Sequence, residues 1–142
     1  MAAGSRQQVR ERAGGRCEYC RLHQKHDRFH SFHVEHIVAR QHGGTDDLVN
    51  LALACHQCNL HKGTNLTGID PDTNEVTRLF HPRRDRWDDH FRFNTDSFSI
   101  ESLTDTGEVT AQLLGFNEIE RVLERQSLVQ IGHFPIARPR PK

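Results

Sequence analysis

The chain has 142 residues, with 19 Lys and Arg against 19 Asp and Glu, so its formal net charge at pH 7 is zero. That length bounds it to one domain or a small domain with an appendage, and the neutral balance excludes a global basic field that would hold nucleic acid by charge alone. Hydrophobic residues make up only 35%, a thin core that calls for a staple such as a metal ion or disulfides.

Charge is unevenly placed. Residues 1–29 carry seven Lys and Arg against three Asp and Glu, a net +4 that the remainder balances at −4. A basic arm of this kind suits phosphate contact, and equally a solvated helix face. The opening MAAGSRQQVRER is too polar for a signal peptide, and no apolar stretch approaches the roughly 20 residues of a membrane span. The expectation is a cytoplasmic protein without a membrane partner. In a reducing compartment, four cysteines are read as metal ligands or buried thiols rather than disulfides.

Ser5 followed by Gln8 resembles a capping box, and Gly14-Gly15 stops the run, which predicts a short basic helix over 5–13. RCEYC (16–20) suits a tight knuckle, and residues 21–29 read as loop. HSFHVEHIV (30–38) has the aromatic and β-branched content of a strand. QHGGTDD is loop, LVNLALA (48–54) a second strand, and CHQCNLHK (55–62) a short helix closed by Gly63. GIDPDTNE (68–75) is a turn-rich break. Strands are expected at 75–80, 90–94 and 98–103, and a helix at 108–114. A final helix is expected to be capped by Asn117, with Ile119, Val122, Leu123 and Gln126 at helical spacing. PIARPRPK reads as an extended, flexible, basic tail.

Cys17-x-x-Cys20 and Cys55-x-x-Cys58 form two pairs separated by 34 residues, with no cysteine left over. Two thiolates three apart grip one ion from a single knuckle, and two such pairs complete the tetrahedron that a structural zinc prefers. Free or redox thiols are the alternative. A closed four-sulfur site has no open position, so such a zinc is not catalytic. Binding energy there counts as folding energy.

Around these pairs lie Glu35-His36, Gly43-Gly44, Asn50-Leu51, and CHQCNLHKG with its Asn59 and Lys62. Over residues 15–66 this arrangement resembles the HNH endonuclease family, in the branch enclosed by cysteine pairs. LTGIDPDTNEVTRLFHPRRDRWDDHF is similar to the segment that follows the motif in small bacterial HNH proteins. The resemblance implies the ββα-metal fold of strand, loop, strand and helix. It also implies cleavage of DNA, expected to be double-stranded, to 5′-phosphate and 3′-hydroxyl ends. His36 is then the general base, Asn50 fixes the loop and orients His36, and Glu35 and Asn59 hold a catalytic Mg²⁺ or another divalent cation such as Mn²⁺. The chain departs from the family pattern twice, with Asn59 where the family's name implies histidine and Glu35 where Asp or His is common. Both keep an oxygen donor, which a hard cation accepts.

The residues suit that chemistry on their own terms. Phosphodiester hydrolysis needs an activated water and charge stabilisation at the phosphate, and imidazole titrates in the right range for the first. Neighbouring strand residues point to opposite faces, so Glu35 and His36 share one cleft only if the strand ends or distorts there. His33, two residues before Glu35, is either an extra ligand or a surface histidine. His61 lies about 200° from Asn59 on a helix and does not share its ion. His42, His61, Lys62, Arg83, Arg84 and Arg86 are candidate nucleic-acid contacts. For PRRDRW (82–87) the competing expectation is Trp87 in the core and the arginines in water.

The fold expected is therefore α+β, in four parts. These are a basic helix (1–14), a zinc-stapled HNH nuclease module (15–66), a small C-terminal α/β appendage (67–134) and a flexible tail (135–142). Two rivals remain at this stage. One is a zinc-dependent DNA-binding module with a degenerate, inactive site. The other is a structural protein held by zinc. Monomer and homodimer are both open.

Overall fold

Helix α1 runs from Ala3 to Arg12 in the computed structural model, which describes residues 1–135. It begins two residues before the expected start because Ala2 takes the cap position without a side-chain bond, leaving Ser5 inside the first turn and the Ser5–Gln8 box unformed. Only Val9 of this helix is buried, and Arg12 ties the helix end to residues 48–51 by donating to Leu48 O at 3.1 Å and Leu51 O at 2.7 Å.

Strand β1 (His33–His36) pairs antiparallel with β2 (Leu51–Ala54), with Glu35 opposite Ala52 and His36 opposite Leu51. β1 is shorter than the sequence pattern because the backbone before it is spent elsewhere. Asp27 Oδ1 accepts the N–H groups of Phe29 and His30, and Gln24 Oε1 accepts that of Phe32. Residues 48–50 form a 3₁₀ turn rather than strand, and all four residues of β2 are buried. Helix α2 (His56–Lys62) follows directly, with Cys55 as its cap and Gly63 after its end. The order β1, loop, β2, α2 is the strand, loop, strand, helix order read from the sequence, and the ββα unit that the resemblance implied.

Beyond it, β3 (Thr67–Ile69) and β4 (Val76–Arg78) form a hairpin, so the expected break at 68–75 is a turn of 70–75 with a strand leading into it. A single helical turn, α3 (Trp87–His90), precedes the hairpin of β5 (Phe91–Phe93) and β6 (Ile100–Ser102). Helix α4 (Asp105–Leu113) starts before position 108 because the Thr104 hydroxyl caps it, accepting Gly107 N–H at 3.0 Å. Helix α5 (Ile119–Gln130) is not capped by Asn117, whose amide instead bridges the backbone N–H and C=O of Ile100 at 2.8 and 2.9 Å. The expected tail, apart from Pro135, lies outside the described residues. Among the described residues no helix is long and apolar enough to cross a membrane.

One buried cluster joins these parts. It runs from Val9 through the four cysteines and β2 to Phe80, Trp87, Phe91, Ile100 and Phe116. Phe91 sits at its aromatic centre, with ring centroids 5.4 Å from Phe80, 5.2 Å from Trp87 and 5.5 Å from Phe116. Each such pair adds roughly 0.5–1.5 kcal/mol beyond burial, so a core of modest apolar content is reinforced by a few large rings. Trp87 is therefore a core residue, and its indole N–H donates to Tyr19 O at 2.7 Å, fastening the second half of the chain to the first cysteine knuckle.

Candidate active site and metal centre

The sequence folds its two cysteine pairs into one buried group. Cys17, Cys20, Cys55 and Cys58 bring their sulfurs within 4.8 Å of one another, an arrangement able to hold a metal ion. The first pair sits in a knuckle closed by an isolated bridge between Arg16 and His23, and the second caps α2. Hydrogen bonds, from Cys17 first and then from Cys55 and Cys58, draw the Cys20 thiol well below its ordinary range. Burial pushes the Cys58 thiol well above it. Four thiolates this close repel one another, and a bound cation is what lets all four ionise.

The knuckle is tied to β2 through Leu53. Glu18 N–H donates to Leu53 O and Leu53 N–H donates back to Glu18 Oε2, each at 2.8 Å. The other Glu18 oxygen pairs with Arg83. Arg83 is thus held inside the fold, where burial lowers its pKa to about 10, and it is not the free phosphate contact the sequence suggested. Arg84 and Arg86 remain exposed.

Arg121, on α5, is a group the sequence did not reveal. It is buried, its Nη2–H donates to Cys58 Sγ at 3.2 Å, and its Nη1–H donates to Leu114 O at 2.7 Å. Nothing in its spacing marks it, because its partner lies 63 residues away.

A second region lies on the other side of α2. Glu35, His36 and Asn59 all line one open cleft of about 440 Å³, together with His33, Arg40, Gln41 and Thr64. The condition set by strand geometry is met, because β1 ends at His36. Three residues on a helix bring a side chain round to within about 60°, so Asn59 and Lys62 share a face of α2, and Lys62 Nζ lies 3.9 Å from Glu35 Oε1. The Asn59 amide has no hydrogen-bond partner among the described residues.

Glu35 is buried, and its Oε1 accepts the Tyr19 hydroxyl at 2.5 Å. Burial raises its pKa to about 7, against the pull of Lys62 and the Tyr19 hydrogen bond. Tyr19 lies between the two cysteines of the first knuckle, so one residue links the cysteine cluster to the cleft. Lys62 is no surface cation. It is 2% exposed and its ammonium donates to Ile37 O at 3.0 Å, so the DNA-backbone role expected of it is excluded by burial.

The loop after β1 explains both its glycines and Asn50. Gly43 has φ +86°, and a Cβ on Gly44 would lie 1.7 Å from Val38 O. Asn50 then locks the same spot. Its Oδ1 accepts Val38 N–H at 2.9 Å, and its Nδ2 donates to Val38 O at 3.0 Å and Thr45 O at 2.8 Å. Every polar atom of the side chain is committed to the loop backbone, so Asn50 holds the loop in place.

The loop delivers Asp46 to His36. His36 Nε2 and Asp46 Oδ1 are 2.7 Å apart, and Arg40 reaches both carboxylate oxygens at 2.9 and 3.1 Å. Hydrogen bonds, from His36 first and then from Arg40, hold the Asp46 carboxyl well below the usual carboxylate range. His42 is exposed on this loop. His61 faces away from the cleft, 3.9 Å from Glu118, as the helical offset from Asn59 required, which also removes it from a DNA contact beside Asn59. His90 points to neither site and bonds Thr104 Oγ1 at 2.6 Å.

Residues 17–65 match the family model described as HNH endonuclease. This segment is similar to the HNH endonuclease family. No curated protein and no solved structure matches the chain. The matched HNH segment contains both cysteine pairs, the cleft residues Glu35, His36 and Asn59, and the loop clamp Asn50. It suggests a nuclease-type function, for which the domain's family uses divalent metal and acts on nucleic acid.

Proposed function

We propose that the protein is a metal-dependent DNA endonuclease that hydrolyses phosphodiester bonds, with His36 as general base. The observation that carries this reading is the convergence of Glu35, His36 and Asn59 on one cleft inside the matched HNH segment. With Nε2 held by Asp46, the remaining ring nitrogen of His36, Nδ1, takes the proton of the attacking water. Glu35 and Asn59 supply the oxygen donors for Mg²⁺ or Mn²⁺, which when bound stabilises charge at the phosphate and helps the leaving oxygen. Asn50 keeps the loop, and through it Asp46 and His36, in place.

The four-cysteine centre fits zinc. A tetrahedron with Zn–S bonds of about 2.3 Å has edges of about 3.8 Å, and Cys20 Sγ lies 3.7 Å from Cys55 Sγ. Its role in this reading is structural, clamping the knuckle to α2.

One observation favours a second reading, a zinc-dependent DNA-binding module that does not cut. Glu35 is buried and already held by Tyr19 and Lys62, so a cation must displace those contacts. Supercoiled-plasmid cleavage separates the two. The nuclease reading expects nicking with Mg²⁺ or Mn²⁺, none with EDTA, and none with a folded, zinc-loaded His36→Ala variant. DNA binding without cleavage under any divalent cation would overturn it in favour of the binding module.

A further inference from the structure

A line of rings leaves the cleft. His33 lines the cleft, and its ring centroid is 6.1 Å from that of His56, the first residue of α2. His56 stacks on His30 at 3.9 Å with the planes only 6° apart. Next to His30 is Phe29, whose side chain is 89% exposed.

A single exposed apolar side chain is ordinary. This one differs in its support and its company. Asp27 Oδ1 accepts Phe29 N–H at 3.0 Å and His30 N–H at 2.9 Å, and Gln24 Nε2 donates to His30 O at 3.2 Å. The turn is therefore pinned by side chains while the phenyl ring stands in water. Arg28 and Lys25, both exposed, flank it. Aromatic faces beside cations, continuous with a cleft, are what unpaired nucleobases bind, because every base has a π-face and every linkage a phosphate.

We propose that Phe29, His30, His56 and His33 form a stacking track for unpaired bases, so that the cleft takes a DNA strand with a single-stranded segment beside the bond it cuts. This rests on the nuclease reading of the cleft. The cavity beside the track is also lined by Glu120 and Glu124 of α5. Those carboxylates repel phosphate, so the strand lies across the rings and not in the cavity.

The test is binding, read separately from cleavage. Fluorescence anisotropy with no added divalent cation compares a labelled single-stranded oligonucleotide, a duplex of the same sequence and single-stranded RNA. The proteins are wild type, Phe29→Ala and Phe29→Trp. Because Phe29 is exposed, both variants keep the fold, which circular dichroism checks. The expected result is that Phe29→Ala weakens single-stranded DNA binding by roughly 5- to 150-fold. Phe29→Trp retains the affinity, and its added fluorescence is quenched by the bound strand. Duplex affinity moves far less. Unchanged single-strand affinity in Phe29→Ala, an unquenched tryptophan, or tighter binding of the RNA than the DNA would each overturn the proposal. A wild type that cuts plasmid while Phe29→Ala binds normally defeats the track alone. A wild type that never cuts yet needs Phe29 to bind single strands defeats the nuclease reading alone.

Discussion

Arg121 Nη2 donates to Cys58 Sγ at 3.2 Å and lies 3.9 Å from Cys55 Sγ, joining the C-terminal helix to the cysteine centre. Four thiolates around a divalent ion leave a net charge of −2 in a buried site, and a buried guanidinium offsets part of it. Such outer-sphere partners tune metal affinity by roughly 10- to 100-fold. Arg121→Leu should therefore release its metal to a chromophoric chelator at correspondingly lower chelator concentration, with Arg121→Lys intermediate. Equal release from wild type and Arg121→Leu would show that α5 packs over the centre without strengthening it.

Metal removal should cost more than the centre itself. The knuckle carries Tyr19, whose hydroxyl holds Glu35 and whose carbonyl holds Trp87, and its Glu18 pairs with Arg83. Stripping the metal loosens both the cleft and the docking of residues 83–87. Chelator treatment should lower the melting temperature and raise amide exchange in both regions together. Loss of protection confined to the cysteine segments would contradict this linkage.

Glu35 gives a pH dependence with a definite sign. Its pKa rises from 4.5 in the unfolded chain to about 7 in the fold, so the native state holds a proton that the unfolded state has lost between those values. Its contribution is fully present below about pH 4.5 and falls away as pH rises to about 7, by about 3 kcal/mol. Glu35→Gln mimics the neutral acid and removes the effect. Urea unfolding without added divalent cation should show wild type losing stability relative to Glu35→Gln across that window. A constant difference would mean the carboxyl is ionised throughout.

The ββα unit was legible because its signals are local: cysteine pairs, a glycine loop, and a helix stop at Gly63. The cysteine cluster was legible for the same reason. The residues that join the parts were not. Tyr19 sits inside a motif read for its cysteines, while Arg121 and Arg83 act through partners distant in sequence. Lys62 was misread because a charge near a helix end usually faces water, whereas here its face of α2 is turned toward Glu35 and Ile37. The strand lengths and the cap on α5 failed where side chains such as Gln24, Asp27 and Asn117 compete for backbone groups.

Asn50→Ala tests the loop clamp. It orphans Val38 N–H, Val38 O and Thr45 O in a part-buried loop, at a cost of about 2–3 kcal/mol. Gly44→Ala attacks the same spot by collision with Val38 O. Both variants should keep their metal, since neither change touches the cysteine centre, and both should lose cleavage. Denaturant midpoints with metal content measured alongside decide it, and full activity in either variant would break the link from loop to His36.

Asp46 is the last link in that line. Its carboxylate is exposed and adds little to the fold, yet it accepts from His36 Nε2 at 2.7 Å and is gripped by Arg40. In the nuclease reading it fixes which ring nitrogen faces the water, an effect felt in the transition state and not in substrate binding. Asp46→Asn should therefore lower kcat by roughly 10- to 100-fold while KM stays nearly constant. A fall confined to KM would instead make Asp46 a substrate contact, and the orientation of His36 would have to come from elsewhere.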